Sequence, residues 1–444
     1  MQELPDVPEA LFFQHCKRLF SMSPFITGFY RQIKNQKTIG LLAAVFLAFM
    51  VLPSAALPKD QPDAIKAPQT IQQGLHYLLG LVEQPTPETV GVNIDEIAPV
   101  LDFVASKKPE NTMIVADDSF DAPSAYHEFV FDKNLSFLFR FSFNPDIPSF
   151  ITTPSSVRLC HWNGNAEEKT MFPALGNSLE TLEKPIQISG VETIENTPDT
   201  FTGGYYKYDL DRTLLIFSFK GKPVLISLSK QTDTSDVGKK GIVLGSDDDW
   251  NYLYSGEKGL NKTGLGWVSS YMYDSYSIII YYEVDSEKPL VKCGAFKWLR
   301  AGWKSINMVK NYHIYSGLKR FATTYKAIIE NPQLPEPGKI ADAYRKISNL
   351  NLETLRQLNH QYFQSLKRKY AQDPALSKKW VAGLFEDSDY LMNMKRDEMQ
   401  SVLLLEYMKR ALGKPYEIDL EARADVTPRR EKPAGNAQPL KAKR

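Results

Sequence analysis

Residues 213–228, TLLIFSFKGKPVLISL, decide the fold. Two apolar runs, 213–219 and 223–228, flank Lys220-Gly221-Lys222, and a glycine between two such runs marks a β-hairpin. In the first run Leu214 and Ile216 alternate with Leu215, Phe217 and Phe219, so both faces of the strand are apolar. Successive side chains of a strand point to opposite sides, and a strand with no polar side has to be covered on both.

Working outward, 113–116, 128–131, 135–143 and 276–284 are further short apolar or alternating runs bounded by Pro, Gly, Asn and Asp, and they read as strands. Residues 112–302 therefore form a β-rich domain, a sandwich or a strongly curved antiparallel sheet of six or more strands. The flanks change period. In 70–111, Ile71, Leu75, Leu78, Leu79 and Val82 share one helical face and Ile94, Ile97, Leu101 and Val104 another, the second opened by Asn93 as N-cap. Beyond Trp303, a stripe through Ile306, Val309, Leu318, Phe321, Tyr325 and Ile328 stops before Asn331-Pro332, where the proline disfavours helix. Helices over 339–348, 352–371 and 388–412, the last ending at Gly413, complete a helical domain, 303–413. The expected class is α+β, a β-rich central domain followed by a C-terminal α-helical domain. Residues 414–444, basic and poor in apolar side chains, are expected to be disordered.

At the other end, Arg31, Lys34 and Lys37 precede IGLLAAVFLAFMVL, residues 39–52, and Ser54 and Ala56 follow. The apolar run has the length of a signal-peptide core and falls short of the roughly 20 residues that span a bilayer. Residues 1–56 thus read as a signal peptide cleaved before Leu57, with the Pro-rich 57–69 as a linker. The rival reading keeps the segment as an N-terminal membrane anchor with its basic flank in the cytoplasm. Either way the remaining chain is exported: periplasmic or extracellular, or held at the inner membrane.

The 444 residues are 43% hydrophobic and 12% aromatic, a globular composition, and 53 basic against 52 acidic side chains leave a net charge of +1. That balance excludes bulk attraction to nucleic acid; membrane association would come only through an uncleaved N-terminal segment. Cys160 and Cys293 follow the leader, and in an oxidising compartment an even pair is expected to form a disulfide, the alternative being two buried thiols.

The stretch 245–267, GSDDDWNYLYSGEKGLNKTGLGW, resembles several functional motifs. Asp247, Asp249 and Asn251 suit the first ligand positions of a calcium loop, but Tyr252 stands where that loop turns on glycine and Lys258 where it needs a carboxylate. A looser calcium site at Asp247, Asp248 and Asp249 is the one cofactor with a donor set; otherwise a solvated turn is expected. Asn261 before Lys262-Thr263 replaces the glycine of a phosphate loop. Ser227-x-x-Lys230 and Lys262-Thr263-Gly264 match serine-enzyme motifs, yet Ser227 lies on a predicted strand and no Ser-x-Asn intervenes. The six histidines never take metal-ligand spacing, and adjacent Cys160 and His161 would point to opposite strand faces.

Asp247, Asp249, Trp250, Tyr252 and Trp267 are the candidate binding residues, aromatic faces and carboxylates suited to a glycan or a protein partner. The alternative is an aromatic core, since Tyr276, Ile278, Ile280 and Tyr282 share one strand face; the methionines of the last helix, Met392, Met394, Met399 and Met408, suit a core in the same way. Function is expected to be non-catalytic binding or assembly at the cell envelope. The alternatives are a periplasmic hydrolase of envelope glycans with carboxylates at Asp247 and Asp249, or a single-pass membrane protein displaying the same domains. N-terminal sequencing of the protein recovered from expressing cells should begin near Leu57; a start at Met1 or Met22 would refute cleavage.

Overall fold

The hairpin forms as its pattern requires. Lys207–Phe219 and Lys222–Gln231 pair antiparallel from Leu210 opposite Gln231 to Phe219 opposite Lys222. The chain reverses at Lys220 and Gly221, both at positive φ (51° and 75°), the tight turn whose twist matches that of its strands. Glycine takes the second of these positions without steric penalty.

This computed structural model describes residues 64–420 except 84–90, 110–111, 117–119, 164–178, 180–181, 183, 200–202, 263–265, 286–287, 372–390 and 392. The proposed leader 1–56, most of the linker, Met392, the start of the last predicted helix and the tail beyond 420 lie outside the described residues. All described residues belong to one compact unit, Pro62–Arg444.

In chain order the first strands are β1 (Ala64–Lys66), β2 (Met113–Val115), β3 (Ser124–Phe131), β4 (Val157–Trp162) and β5 (Ile186–Asn196). Then come β6 (Gly204–Tyr205), the hairpin strands β7 and β8, β9 (Lys239–Val243), β10 (Tyr252–Lys258), β11 (Leu260–Lys262) and β12 (Gly266–Val268). The long β13 (Tyr271–Asp285) and β14 (Leu290–Trp303) and the short β15 (Ile306–Asn307) finish the set. Ten of them form one mixed sheet ordered β1-β2-β3-β14-β13-β8-β7-β5-β4, with β15 on β14; β10-β9-β6 is a smaller sheet and β11-β12 a ribbon. Only β1 runs parallel, to β2, within the span expected to be linker. The class is α+β.

Helices cover the sheet on both faces. On one, α1 (Gln69–Glu83) and α2 (Ile94–Ala105) lie over Leu215, Phe217, Val224, Ile226, Ile278 and Ile280. Asn93 caps α2 by accepting from the Asp95 N–H, as expected. On the other, α3 (Leu135–Phe141) and α4 (Asn311–Ile329) pack on Leu214, Ile216, Leu225 and Tyr281. Each such aliphatic side chain, fully withdrawn from water, contributes about 1.5–3 kcal/mol, and β7 carries them on both sides. The aromatic face through Tyr276 and Tyr282 is part of the first core.

Two expectations are corrected. The run 135–143, expected to be a strand, forms α3: Asn134 accepts from the Phe137 N–H, and Leu135, Leu138 and Phe139 lie buried at helical spacing. A short run of continuous apolar residues fits a buried strand and a buried helix equally, and here the cap decides. The helical stripe expected from 303 begins only at Asn311, because β14 turns through Lys304 and Ser305 (φ 49° and 61°) into β15, leaving Ile306 exposed.

A third core joins the small sheet to α5 (Pro337–Ser348), α6 (Leu352–Lys369) and α7 (Arg396–Ala411), with Trp250, Leu253, Leu355, Leu366, Leu403 and Met408 at its centre. Residues 414–420, within the span expected to be disordered, pack here: Ile418 is buried. Through this core runs a charged pair. The Lys409 ammonium donates to Glu406 at 2.6 Å and to the Asn251 side-chain oxygen at 2.7 Å, and the other Glu406 oxygen accepts the N–H groups of Glu417 and Ile418. Both side chains are 1% exposed. Removing one member of such a pair strands the other charge without water. Glu406→Ala should therefore cost about 3–5 kcal/mol in denaturant unfolding, and adding Lys409→Met should recover much of it. A loss below 1 kcal/mol for the single variant would contradict this account.

Candidate functional site

The stretch 245–254 is a joint between layers. Asp247–Asp249 make one 3-10 turn, with the Ser246 hydroxyl accepting from the Asp248 N–H at 3.3 Å. Arg320 of α4 grips Asp247 with two N–H groups, each 2.5 Å from a carboxylate oxygen, and the Tyr252 hydroxyl donates to the same carboxylate at 2.7 Å. Burial, then the Asp247 charge, pushes the Tyr252 phenol well above its usual value, so it stays a neutral donor. Trp250 is buried with φ at 53°, its ring under the Lys414 ammonium, which also donates to the Asp248 carbonyl at 2.9 Å.

Of the expected binding residues, Asp247, Trp250 and Tyr252 are thus engaged inside the protein, Asp248 is exposed and Asp249 half-buried. The Trp267 side chain lies outside the described residues; its backbone is in β12. Since Asp247 turns to Arg320, the three carboxylates do not share a centre, and among the described residues no three His, Cys, Asp or Glu side chains are placed to hold a metal ion.

The structure does not bring together the cysteines expected to bridge. Both are free thiols, Cys160 on β4 and Cys293 on β14, with β13, β8, β7 and β5 between them in the sheet. The Cys160 thiol shares a hydrogen bond with the Ser149 hydroxyl at 2.7 Å and is pushed up to about 11 by burial and by the charge of Glu192. Neighbouring His161 projects outward to Asp397 of α7 at 3.4 Å, as strand alternation dictates. Lys230 likewise leaves Ser227 behind and binds Glu83 at 2.5 Å on the other face.

Sequence reasoning missed a cavity of about 840 Å³ on the second face of the sheet. Its floor is β4, β5, β7, β8, β13 and β14; α4 and the 142–157 connection roof it. Leu214, Ile279, Leu299, Ile314, Leu318 and Phe321 give it apolar walls.

Across the floor the registers align a polar row: Arg212 opposite Ser229, Ser229 opposite Ser277, Ser277 opposite Lys297. Arg212 donates to Glu192 at 2.5 Å and to the Ser227 hydroxyl at 2.7 Å. The Ser229 and Ser277 hydroxyls share a hydrogen bond of 2.6 Å, and Lys297 donates to the Ser275 hydroxyl at 2.8 Å. Arg212 thus has its carboxylate. Lys297, among the described residues, has none, and burial together with the Arg212 charge brings its amine down to about 8. Tyr208 and Tyr281 also line the cavity, their phenols held neutral because burial raises them, Tyr208 to about 12. The available signal was the interruption of apolar strands on one face by Arg212, Ser227, Ser229 and Ser277. Among the described residues no helix is long and apolar enough to cross a membrane. Compared with protein families, curated proteins and solved structures, the chain matches none.

Two measurements follow from these groups. The folded-state pKa of Lys297 lies below the ordinary lysine value of 10.5, so between about 8 and 10.5 the unfolded chain binds more protons and the stability owed to this group rises with pH. Below about 8 its penalty is complete. Lys297→Met should raise the Tm at pH 7, with the gain shrinking by pH 10.5; a lower Tm at pH 7 would be the contrary result. At pH 8 a thiol with a pKa near 11 is about one part in a thousand thiolate. Native protein lacking residues 1–56, and with them Cys16, should accordingly react with a disulfide reagent far more slowly than the same protein in guanidinium, where Cys160 and Cys293 both titrate.

Proposed function

We propose that the chain is an exported, non-catalytic binding module whose ligand site is the cavity beneath the sheet. The observation that carries this reading is the cavity itself: about 840 Å³, within the range of small-molecule sites, with apolar walls and a few converging polar groups on its floor. Rigid β-strands joined by long registers present those groups, which suits a preformed pocket. Export rests on the apolar run 39–52 and its basic flank.

The test is a fluorescence titration with N-phenyl-1-naphthylamine, an uncharged dye that brightens in apolar surroundings. Saturable binding by the native protein is expected. Ile279→Trp, which puts a larger ring into the cavity from its floor, should remove that binding while the protein keeps a cooperative melt. Equal binding by both proteins would place the dye elsewhere and refute the cavity as the site.

A further inference from the structure

We propose that the ligand is an amphipathic organic acid carrying one negative charge, its acid group held between Lys297 and Arg212 over the Ser229–Ser277 hydroxyl pair and its apolar body against Leu214, Ile279 and Phe321. The inference rests on the cavity being the binding site and names what that site selects.

The argument is one of charge and place. Four adjacent strands contribute one residue each to the row, so the two serines lie between the two cations. Arg212 is neutralised by Glu192 at 2.5 Å. Of the other charged groups that line the cavity, Arg320 is bound to Asp247 and His161 meets Asp397, while Asp199, an exposed carboxylate, stands at its edge near Arg320 and His313. Among the described residues Lys297 has only a hydroxyl, at 2.8 Å. A half-buried ammonium without a counter-charge is unfavourable, and an anion entering the cavity beside it gains a charge-assisted hydrogen bond. A neutral ligand gains at most a hydrogen bond from the amine, without the attraction of opposite charges. One uncompensated charge matches a monoanion, a carboxylate or sulfonate, whereas a phosphate dianion would leave a charge unmatched. The Arg212 guanidinium and the serine hydroxyls add donors on the same rung, and Leu214, Ile279 and Phe321 give the body of the ligand an apolar wall.

A matched pair of dyes tests this. 1-Anilinonaphthalene-8-sulfonate is N-phenyl-1-naphthylamine with one added acid group, and both report by fluorescence. Native protein at pH 7 should bind the sulfonate tighter, by roughly ten- to a hundredfold, the range of a charge-assisted hydrogen bond. Lys297→Met should abolish the preference and leave the affinity for the neutral dye within about twofold, since no hydrogen bond to that dye is lost; retained neutral binding shows the variant folded. Lys297→Arg should keep most of the preference. Equal affinity of native protein for the two dyes, or a preference that survives Lys297→Met, overturns the proposal while the cavity stands. If neither dye binds native protein, the cavity reading falls and takes this one with it.

Discussion

The structure depends on the burial of β7 on both faces. A strand that alternates Leu214 and Ile216 with Leu215, Phe217 and Phe219 offers water no side, so the sheet around it needs two covers. The first comes from the N-terminal helices α1 and α2, the second from α3 and α4, which enter the chain after β3 and after β15. Elements far apart in sequence are drawn to one hairpin. The sheet extends outward from it on both sides, to β13 and β14 through β8 and to β5 and β4 through β7 itself.

The C-terminal helices are attached by different means. Their core is apolar, but charged groups tie it to the rest of the chain: Arg320 of α4 on Asp247, Lys409 on Glu406 and Asn251, and Arg158, stacked 3.8 Å over Tyr254, on Glu195 and Glu398. All three anchors reach the stretch 245–254, at Asp247, Asn251 and Tyr254. A carboxylate with one geometrically matched guanidinium has one good position, whereas leucines can slide past one another, so such pairs specify register at a cost in desolvation. The acidity that makes 245–254 look like a ligand loop is used, at Asp247, to hold α4.

What could be read from sequence was local. The hairpin, the two apolar faces of β7, the Asn93 cap and the spans of α5 and α6 all follow from periods of two or 3.6 within a dozen residues. Where two local readings were degenerate, at 135–143, only the cap and the packing of Leu138 and Phe139 separated them. The cavity was illegible for another reason. Arg212, Ser229, Ser277 and Lys297 become neighbours through strand register, and register is a property of pairing. Each looks, in its own strand, like an isolated polar residue. The tryptophans and aspartates of 245–267 drew attention because they are adjacent in sequence, which is a poor guide to adjacency in a sheet.

The row and the cavity are one fact seen twice. Toward one end of the hairpin, Ile216 and Leu225 meet α3 and α4 directly and the layers close. Toward the other, Arg212, Ser229 and Ser277 replace the aliphatic side chains. A helix cannot settle on these without leaving polar groups and the Lys297 ammonium in a dry contact, which costs more than the apolar burial it would gain. The layers therefore separate where the floor turns polar, and the space left is lined by apolar walls around a fixed charge. Aliphatic residues at the same four positions would take the charge and the hydroxyls from the floor and leave it apolar, like the floor beneath α3. The same substitution pattern thus sets the size of the cavity and the chemistry of its floor.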